Sequence, residues 1–376
     1  MTKLHELAGL GQAVWLDFIS RSLITSGELQ AVIEQGVRGV TSNPAIFAKA
    51  ITDSHDYDDD IQRFAGQGKS VIEIYESLAL DDIRHVADLL RPYYDETDGR
   101  DGFVSLEVSP KLAHDTDGAI AEARRLFAAA GRPNVMIKIP ATRAGFPAIE
   151  ALTAAGVNVN VTLIFSLAQY EASAQAYIAG LEQLRASGRP IERTASVASF
   201  FVSRVDTAVD AALDKLGRKD LQGKAAVDNA KLAYVRFREI FRGPRWEKLA
   251  RAGGRLQRPL WASTGVKNPS YPDTIYIDNL IGPDTVNTMP PATLQAFLAH
   301  GQVVVTVGED VEGARTRMAR LAAAGVDFAA VTDRLTEDGV AAFAKPFESL
   351  MGSLEKRRGQ LERGGSDIPG PRLGVG

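Results

Sequence analysis

Lys138 is the residue with the most chemistry to offer. It lies in Val135-Met136-Ile137-Lys138-Ile139-Pro140-Ala141-Thr142. At the two-residue period of a strand, Val135, Ile137 and Ile139 share one face, and Met136, Lys138 and Pro140 share the other. A strand this apolar reads as buried on both faces, as strands of parallel sheets are. An ammonium group is costly to desolvate there, and relief comes from a lowered pKa or a paired carboxylate. A neutral buried lysine amine is the nucleophile that attacks a carbonyl to form a Schiff base. The plainer alternative is a paired structural lysine, or one whose head reaches water at the strand end.

Polar side chains in the other apolar segments bear on that choice. Asp17 interrupts Ala13 to Ile19. Phe103, Ser105 and Glu107 oppose Val104, Leu106 and Val108. Asn158, Asn160 and Thr162 alternate with Val157, Val159, Val161 and Leu163. Asn43, Asp17, Glu107, Lys138, Thr162 and Ser263 all fall toward the C-terminal ends of their segments, the active-site end if the strands close into a (β/α)8 barrel. A hydrogen-bonded polar layer explains one or two such residues. Two carboxylates, one amine and several amides and hydroxyls at one end fit catalysis better. With Lys138 attacking a ketone, one carboxylate would shuttle a proton at a substrate hydroxyl. The other, with Thr162, would hold a water for imine formation and hydrolysis.

These residues need a scaffold of strands alternating with helices. Strands are expected at Ala13–Ile19, Val37–Thr41, Phe103–Val108, the lysine segment, Val157–Phe165, Thr194–Ser203, Arg258–Thr264 and Thr285–Met289, the last continued by Gln302–Val307. Helical segments separate them, the largest excursion being Arg204–Arg242. A final helix is expected at Thr336–Arg357, kinked at Pro346. The alternation indicates parallel βαβ units. Strand count and length predict an α/β fold of the (β/α)8 TIM-barrel type with inserted helices and a C-terminal helix. Residues 1–363 are expected to form one domain, with a flexible Gly/Pro tail over 364–376.

Composition narrows the functions. The 376 residues are 45% hydrophobic and 24% charged, with a formal charge of -4, so no global basic footprint marks a nucleic-acid partner. The absence of cysteine excludes disulfides, thiolate zinc sites and cysteine nucleophiles. The five histidines, at 5, 55, 85, 114 and 300, form no metal-ligand spacing, and neither metal nor cofactor is called for. Gly68-Lys69-Ser70 lacks the earlier glycine of a phosphate loop, because position 63 is Arg63, and Gly9-x-Gly11 lacks the later glycine of a dinucleotide fingerprint. No apolar run reaches the roughly 18 residues of a membrane helix, and Leu7–Leu16 runs into Asp17 without a cleavage pattern. A cytoplasmic protein with no membrane partner is expected.

Four ordered motifs carry a family resemblance. Gly39-Val40-Thr41-Ser42-Asn43-Pro44, Lys138-Ile139-Pro140-Ala141-Thr142, Asn160-Val161-Thr162-Leu163-Ile164-Phe165-Ser166 and Ser199-Phe200-Phe201-Val202-Ser203-Arg204 resemble signature segments of transaldolase, over about Leu16 to Met289. The resemblance implies a (β/α)8 barrel that transfers a dihydroxyacetone unit through a lysine Schiff base. Its donors would be sedoheptulose 7-phosphate or fructose 6-phosphate, and its acceptors glyceraldehyde 3-phosphate or erythrose 4-phosphate, in the pentose phosphate pathway. By motif position, Lys138 would be the Schiff-base lysine and Asp17 the acid/base at the cleaved bond. Glu107 and Thr162 would position the catalytic water, Asn43 and Ser199 would hold substrate hydroxyls, and Arg204 would bind phosphate. After the seventh strand the chain departs from better-known members. Ser263 is followed by Thr264-Gly265-Val266-Lys267 rather than by an arginine, and the Asn268–Met289 stretch resembles a longer subfamily. Lys267 becomes the second phosphate candidate.

Two rivals remain. A fructose 6-phosphate aldolase on the same scaffold would release free dihydroxyacetone, but such relatives carry Gln and Tyr where this chain has Glu107 and Phe201. A sugar-phosphate-binding protein without catalysis would be expected to lack Lys138 or Asp17, and both are present.

Overall fold

The computed structural model describes residues 1–365. Eight parallel strands, buried throughout except at Arg38, pair in chain order and close on themselves: β1 (Gln12–Leu16), β2 (Val37–Thr41), β3 (Phe103–Glu107), β4 (Val135–Pro140), β5 (Val159–Ile164), β6 (Ser196–Phe201), β7 (Gln257–Ala262) and β8 (Thr285–Met289). Helices cover the outside, giving a (β/α)8 barrel with additional helices. On β3, β4 and β5 valine, isoleucine and leucine fill the outward positions, which meet the helix layer. The alternate residues point into the barrel, where register decides which side chains meet. Glu107 pairs in register with Lys138, Lys138 with Asn160, and Pro140 with Thr162. The polar residues of three adjacent strands therefore occupy neighbouring levels of one interior.

The N-terminal half of that interior is filled. Gly39 pairs with Trp15, and the indole lies so close to it that a Cβ there would meet the ring at 2.5 Å. Glycine at 39 is a packing requirement. Trp15 Nε1 donates to Asp101 Oδ1 at 2.9 Å, and Arg258 Nη1 approaches Asp101 Oδ2 at 3.3 Å. This buried pair closes the barrel floor.

Four segments differ from expectation. Gln302–Val307 is not a strand, because β8 already pairs with β1 and β7 and the closed sheet leaves no edge. It runs along the surface, with the Thr306 and Val307 amides on the Ile281 carbonyl. A short helix, Lys3–Gly9, precedes β1, and another, Pro244–Ala250, precedes β7. The C-terminal helix spans Phe328–Gly365 and so begins eight residues early, after Asp327, whose carboxylate accepts the Ala330 amide at 3.0 Å. It stays helical through Pro346. The tail expected at the C-terminus lies, from residue 366, outside the described residues. Among the described residues, no helix is long and apolar enough to cross a membrane.

Candidate active site

The C-terminal ends of the strands surround a cavity of 190 Å³. Asp17, Asn43, Lys138, Thr162, Ser199, Arg204, Ser263 and Lys267 all line it. Eight of the nine site residues expected from sequence are thus brought together from six strand ends. Glu107 reaches the site through Lys138 instead. Its Oε2 lies 3.1 Å from Lys138 Nζ, and its other side faces a small adjoining cavity beneath Tyr75 and Phe347. That cavity measures 20 Å³, enough for about one water.

Lys138 Nζ also donates to the Ser42 carbonyl at 2.9 Å. The amine is therefore held between a carboxylate and a backbone oxygen, with little exposure to solvent at 4%. Burial is the main influence on Glu107 and raises its pKa. The Lys138 charge opposes that shift, and the Asp17 charge adds to it. Asp17 follows the last residue of β1, its amide bonded to the Met289 carbonyl at 2.8 Å. Burial raises its pKa too, against a 2.6 Å hydrogen bond from Thr41 and the charges of Lys138 and Lys267. Thr41 in turn contacts the Thr288 hydroxyl at 2.7 Å. Two carboxylates with raised pKa values thus lie beside one amine, an arrangement suited to passing protons.

The polar residues around this centre differ in how fully they are engaged. Thr162 Oγ1 is buried and has no hydrogen-bond partner among the described residues. A buried hydroxyl in that condition is suited to a water or a substrate oxygen. Asn160 donates to Ser105 Oγ at 3.0 Å and accepts from Ser199 Oγ at 2.7 Å, which fixes Ser199 at the cavity wall. Asn43 caps the helix Pro44–Thr52 through Oδ1, accepting the Ile46 amide at 3.0 Å, with Pro44 in the first helical turn. Its amide nitrogen, which makes no hydrogen bond among the described residues, can donate to a ligand. Ser263 sits just after β7 with φ of 55°, a left-handed conformation that costs a serine about 1–3 kcal/mol. Its carbonyl accepts the Ser203 amide at 3.1 Å and so joins the β7 end to the helix carrying Arg204.

Two cations face the cavity without a direct ion pair among the described residues. Arg204, in the first turn of the helix Ser203–Lys215, makes no ion pair among the described residues, and its guanidinium lies 5.5 Å from the Phe201 ring centre. Burial lowers its pKa, because a guanidinium is costly to desolvate with no carboxylate beside it. Lys267 stands in the loop after β7, exposed at its outer side. That loop is fastened to the Arg204 helix by Tyr271, which donates to Asp210 at 2.7 Å, and Tyr276, which donates to Asp206 at 2.8 Å. A larger groove of 560 Å³ at the opposite end offers no such charge, since its Arg91, Arg132 and Arg193 all pair with aspartates.

The comparisons with known proteins point the same way. Residues 14–354 match the family described as Transaldolase/Fructose-6-phosphate aldolase. The chain belongs to that family. It is 50% identical to a transaldolase of Thermobifida fusca over 353 residues, covering 93% of this chain and 96% of the relative. A transaldolase of Parafrankia sp. is 49% identical over 361 residues, covering 95% and 98%. A protein named transaldolase 2 from Nostoc punctiforme is 47% identical over 369 residues, covering 94% and 97%. Membership, together with this similarity to transaldolases over nearly the whole chain, makes it an enzyme of the transferase class.

Sequence reasoning missed three contributors. Thr41 was visible only as a member of a motif and Asn160 only as one of the alternating polar residues, and their hydrogen bonds to Asp17 and Ser199 depend on side-chain direction. Phe343 lines the cavity from the C-terminal helix, its ring centre 5.8 Å from Lys138 Nζ. Nothing local marks Phe343, because its contact spans more than 200 residues of sequence.

Proposed function

We propose that this chain is a transaldolase that moves a dihydroxyacetone unit from sedoheptulose 7-phosphate or fructose 6-phosphate to glyceraldehyde 3-phosphate or erythrose 4-phosphate. The observation that carries this reading is the Lys138 amine, buried between Glu107 and the Ser42 carbonyl, in a cavity that also holds Asp17 and two unpaired cations. Glu107 takes the ammonium proton, and the neutral amine adds to the donor ketone. Loss of water leaves the Schiff base, with Glu107 and Thr162 handling the water in both directions. Asp17 accepts the proton of the substrate hydroxyl as the carbon–carbon bond breaks, and returns it when the acceptor aldehyde joins. Asn43 and Ser199 hold the hydroxyls of the three-carbon unit, and Ser263 shapes the wall beside them. Arg204 binds the distal phosphate, with Lys267 as a second, more mobile charge.

A coupled assay with fructose 6-phosphate, run with and without erythrose 4-phosphate, tests the reading. Glyceraldehyde 3-phosphate should accumulate beyond a single turnover only when the acceptor is present. Equal rates without acceptor would make the chain an aldolase, and no product in either case would leave a binding protein.

A further inference from the structure

The C-terminal helix Phe328–Gly365 lays one continuous face across the barrel mouth. Thr336, Gly339, Phe343, Phe347, Leu350 and Leu354 are buried at intervals of three and four residues, one side of a helix. Each successive turn meets a different part of the site. Gln169 Nε2 donates to Thr336 Oγ1 at 2.8 Å and to the Ala141 carbonyl at 3.2 Å, so it ties the helix to the end of the lysine strand. Leu163 departs from extended geometry at a bulge in β5, with φ of 59°, and its side chain lies against Gly339. A Cβ at 339 would stand 2.9 Å from Leu163 Cδ2. One turn on, Phe343 covers Lys138. The next turn places Phe347 edge-on to Tyr75 at 5.3 Å, over the small cavity that Glu107 lines. Arg357 then fastens the far end, pairing with Asp58 and donating to the Ile51 carbonyl at 2.7 Å.

A helix held at both ends and pressed so closely on the strand ends presents Phe343 with little freedom. Resting on the Schiff-base reading above, we propose that Phe343 is a specificity-determining residue, which shields the covalent three-carbon intermediate from bulk solvent so that it passes to an aldehyde. The reason lies in what the intermediate does after the aldose leaves. Its enamine carbon can form a carbon–carbon bond with the acceptor aldehyde, the aldehyde oxygen taking a proton. Alternatively, that carbon takes a proton from solvent, and water adds to the resulting imine carbon. The carbon–nitrogen bond then breaks, and free dihydroxyacetone leaves with the amine of Lys138 restored. The second course needs solvent at the carbon attached to Nζ, where the Phe343 ring stands.

The test is the ratio of dihydroxyacetone released to dihydroxyacetone transferred, measured with fructose 6-phosphate and erythrose 4-phosphate. Phe343→Ala should raise it by about tenfold or more, and Phe343→Leu by less. Deuterium uptake into dihydroxyacetone in heavy water should rise in the same order, because it reports solvent reaching the enamine carbon. That second measurement on Phe343→Leu stands alone if Phe343→Ala does not fold. A purely structural role for Phe343 would lower release and transfer together, and an unchanged ratio with unchanged deuterium uptake overturns the proposal. Borohydride trapping on Lys138 in the unaltered enzyme separates the two levels. Failure to trap there defeats the Schiff-base reading itself, whereas trapping with an unchanged ratio defeats only the role of Phe343.

Discussion

The barrel contains two buried ion pairs, one at each end, and they are built to opposite standards. At the floor, Asp101 accepts from Trp15 Nε1 and Arg258, while Arg258 Nη2 donates to the Arg100 carbonyl at 3.0 Å. Donors and acceptors match, and a rigid guanidinium fork is used. At the mouth, Lys138 and Glu107 meet through a single amine, Thr162 Oγ1 has no partner among the described residues, and burial pushes both Glu107 and Asp17 upward. A satisfied network specifies structure, whereas an under-satisfied one retains capacity for a ligand. The two pairs thus divide holding from reacting between them.

The largest expected effect is at the mouth. Lys138→Arg should abolish transfer altogether, since guanidinium stays protonated and forms no imine. A steady-state assay above the background of a Lys138-independent preparation would show otherwise.

Asp17→Asn should come next, lowering kcat by about 10²–10⁴-fold because the amide cannot carry the proton. The same substitution should raise thermal stability at neutral pH. The sign follows from linkage. Burial holds the folded pKa of Asp17 above its ordinary 3.8, so the folded chain binds the proton more tightly than the unfolded chain. Folding is therefore not penalised in acid. The penalty appears as pH rises through 3.8, and it is complete once pH exceeds the folded pKa. Asn removes it, with a gain of about 0.5–2 kcal/mol that calorimetry at neutral pH would detect.

The floor should behave in reverse. Asp101→Ala leaves Arg258 buried and unpaired and should cost about 3–5 kcal/mol of stability. Turnover per folded molecule should stay within a few-fold of the parent. A fall in turnover as large as that of Asp17→Asn would erase the distinction between the two ends.

Much of this was readable from sequence. Most strand positions and the shared parity of the polar residues, Lys138 among them, follow from alternation, because a closed parallel barrel turns alternation into inside and outside. Side-chain commitments do not follow. Asn43 gives its oxygen to a helix cap, Glu107 turns toward a separate cavity, and Asn160 sets Ser199. These depend on rotamers and on neighbours distant in sequence. Phe343 was hidden for the same reason. The helix that carries it starts at a capping aspartate inside an otherwise apolar stretch, and its target is fixed only when the barrel closes.

The smallest effects concern the two cations. Arg204→Ala should raise KM for phosphorylated donors by about 10–150-fold while sparing adduct formation with unphosphorylated dihydroxyacetone. Lys267→Ala should raise it by no more than about fivefold, as expected of an exposed charge. Inorganic phosphate should compete less well in both. If Lys267→Ala changes neither KM nor phosphate inhibition, the second phosphate ligand lies elsewhere in the loop after β7.

Whether the amine at the mouth is a nucleophile or merely half of an ion pair can be decided by borohydride reduction in the presence of fructose 6-phosphate, followed by peptide mapping. A three-carbon adduct on the peptide containing Lys138 is predicted, absent when fructose 6-phosphate is omitted. An adduct on a different lysine, or an unmodified chain that still transfers the three-carbon unit, would show that the Lys138–Glu107 pair is structural like its counterpart at the floor.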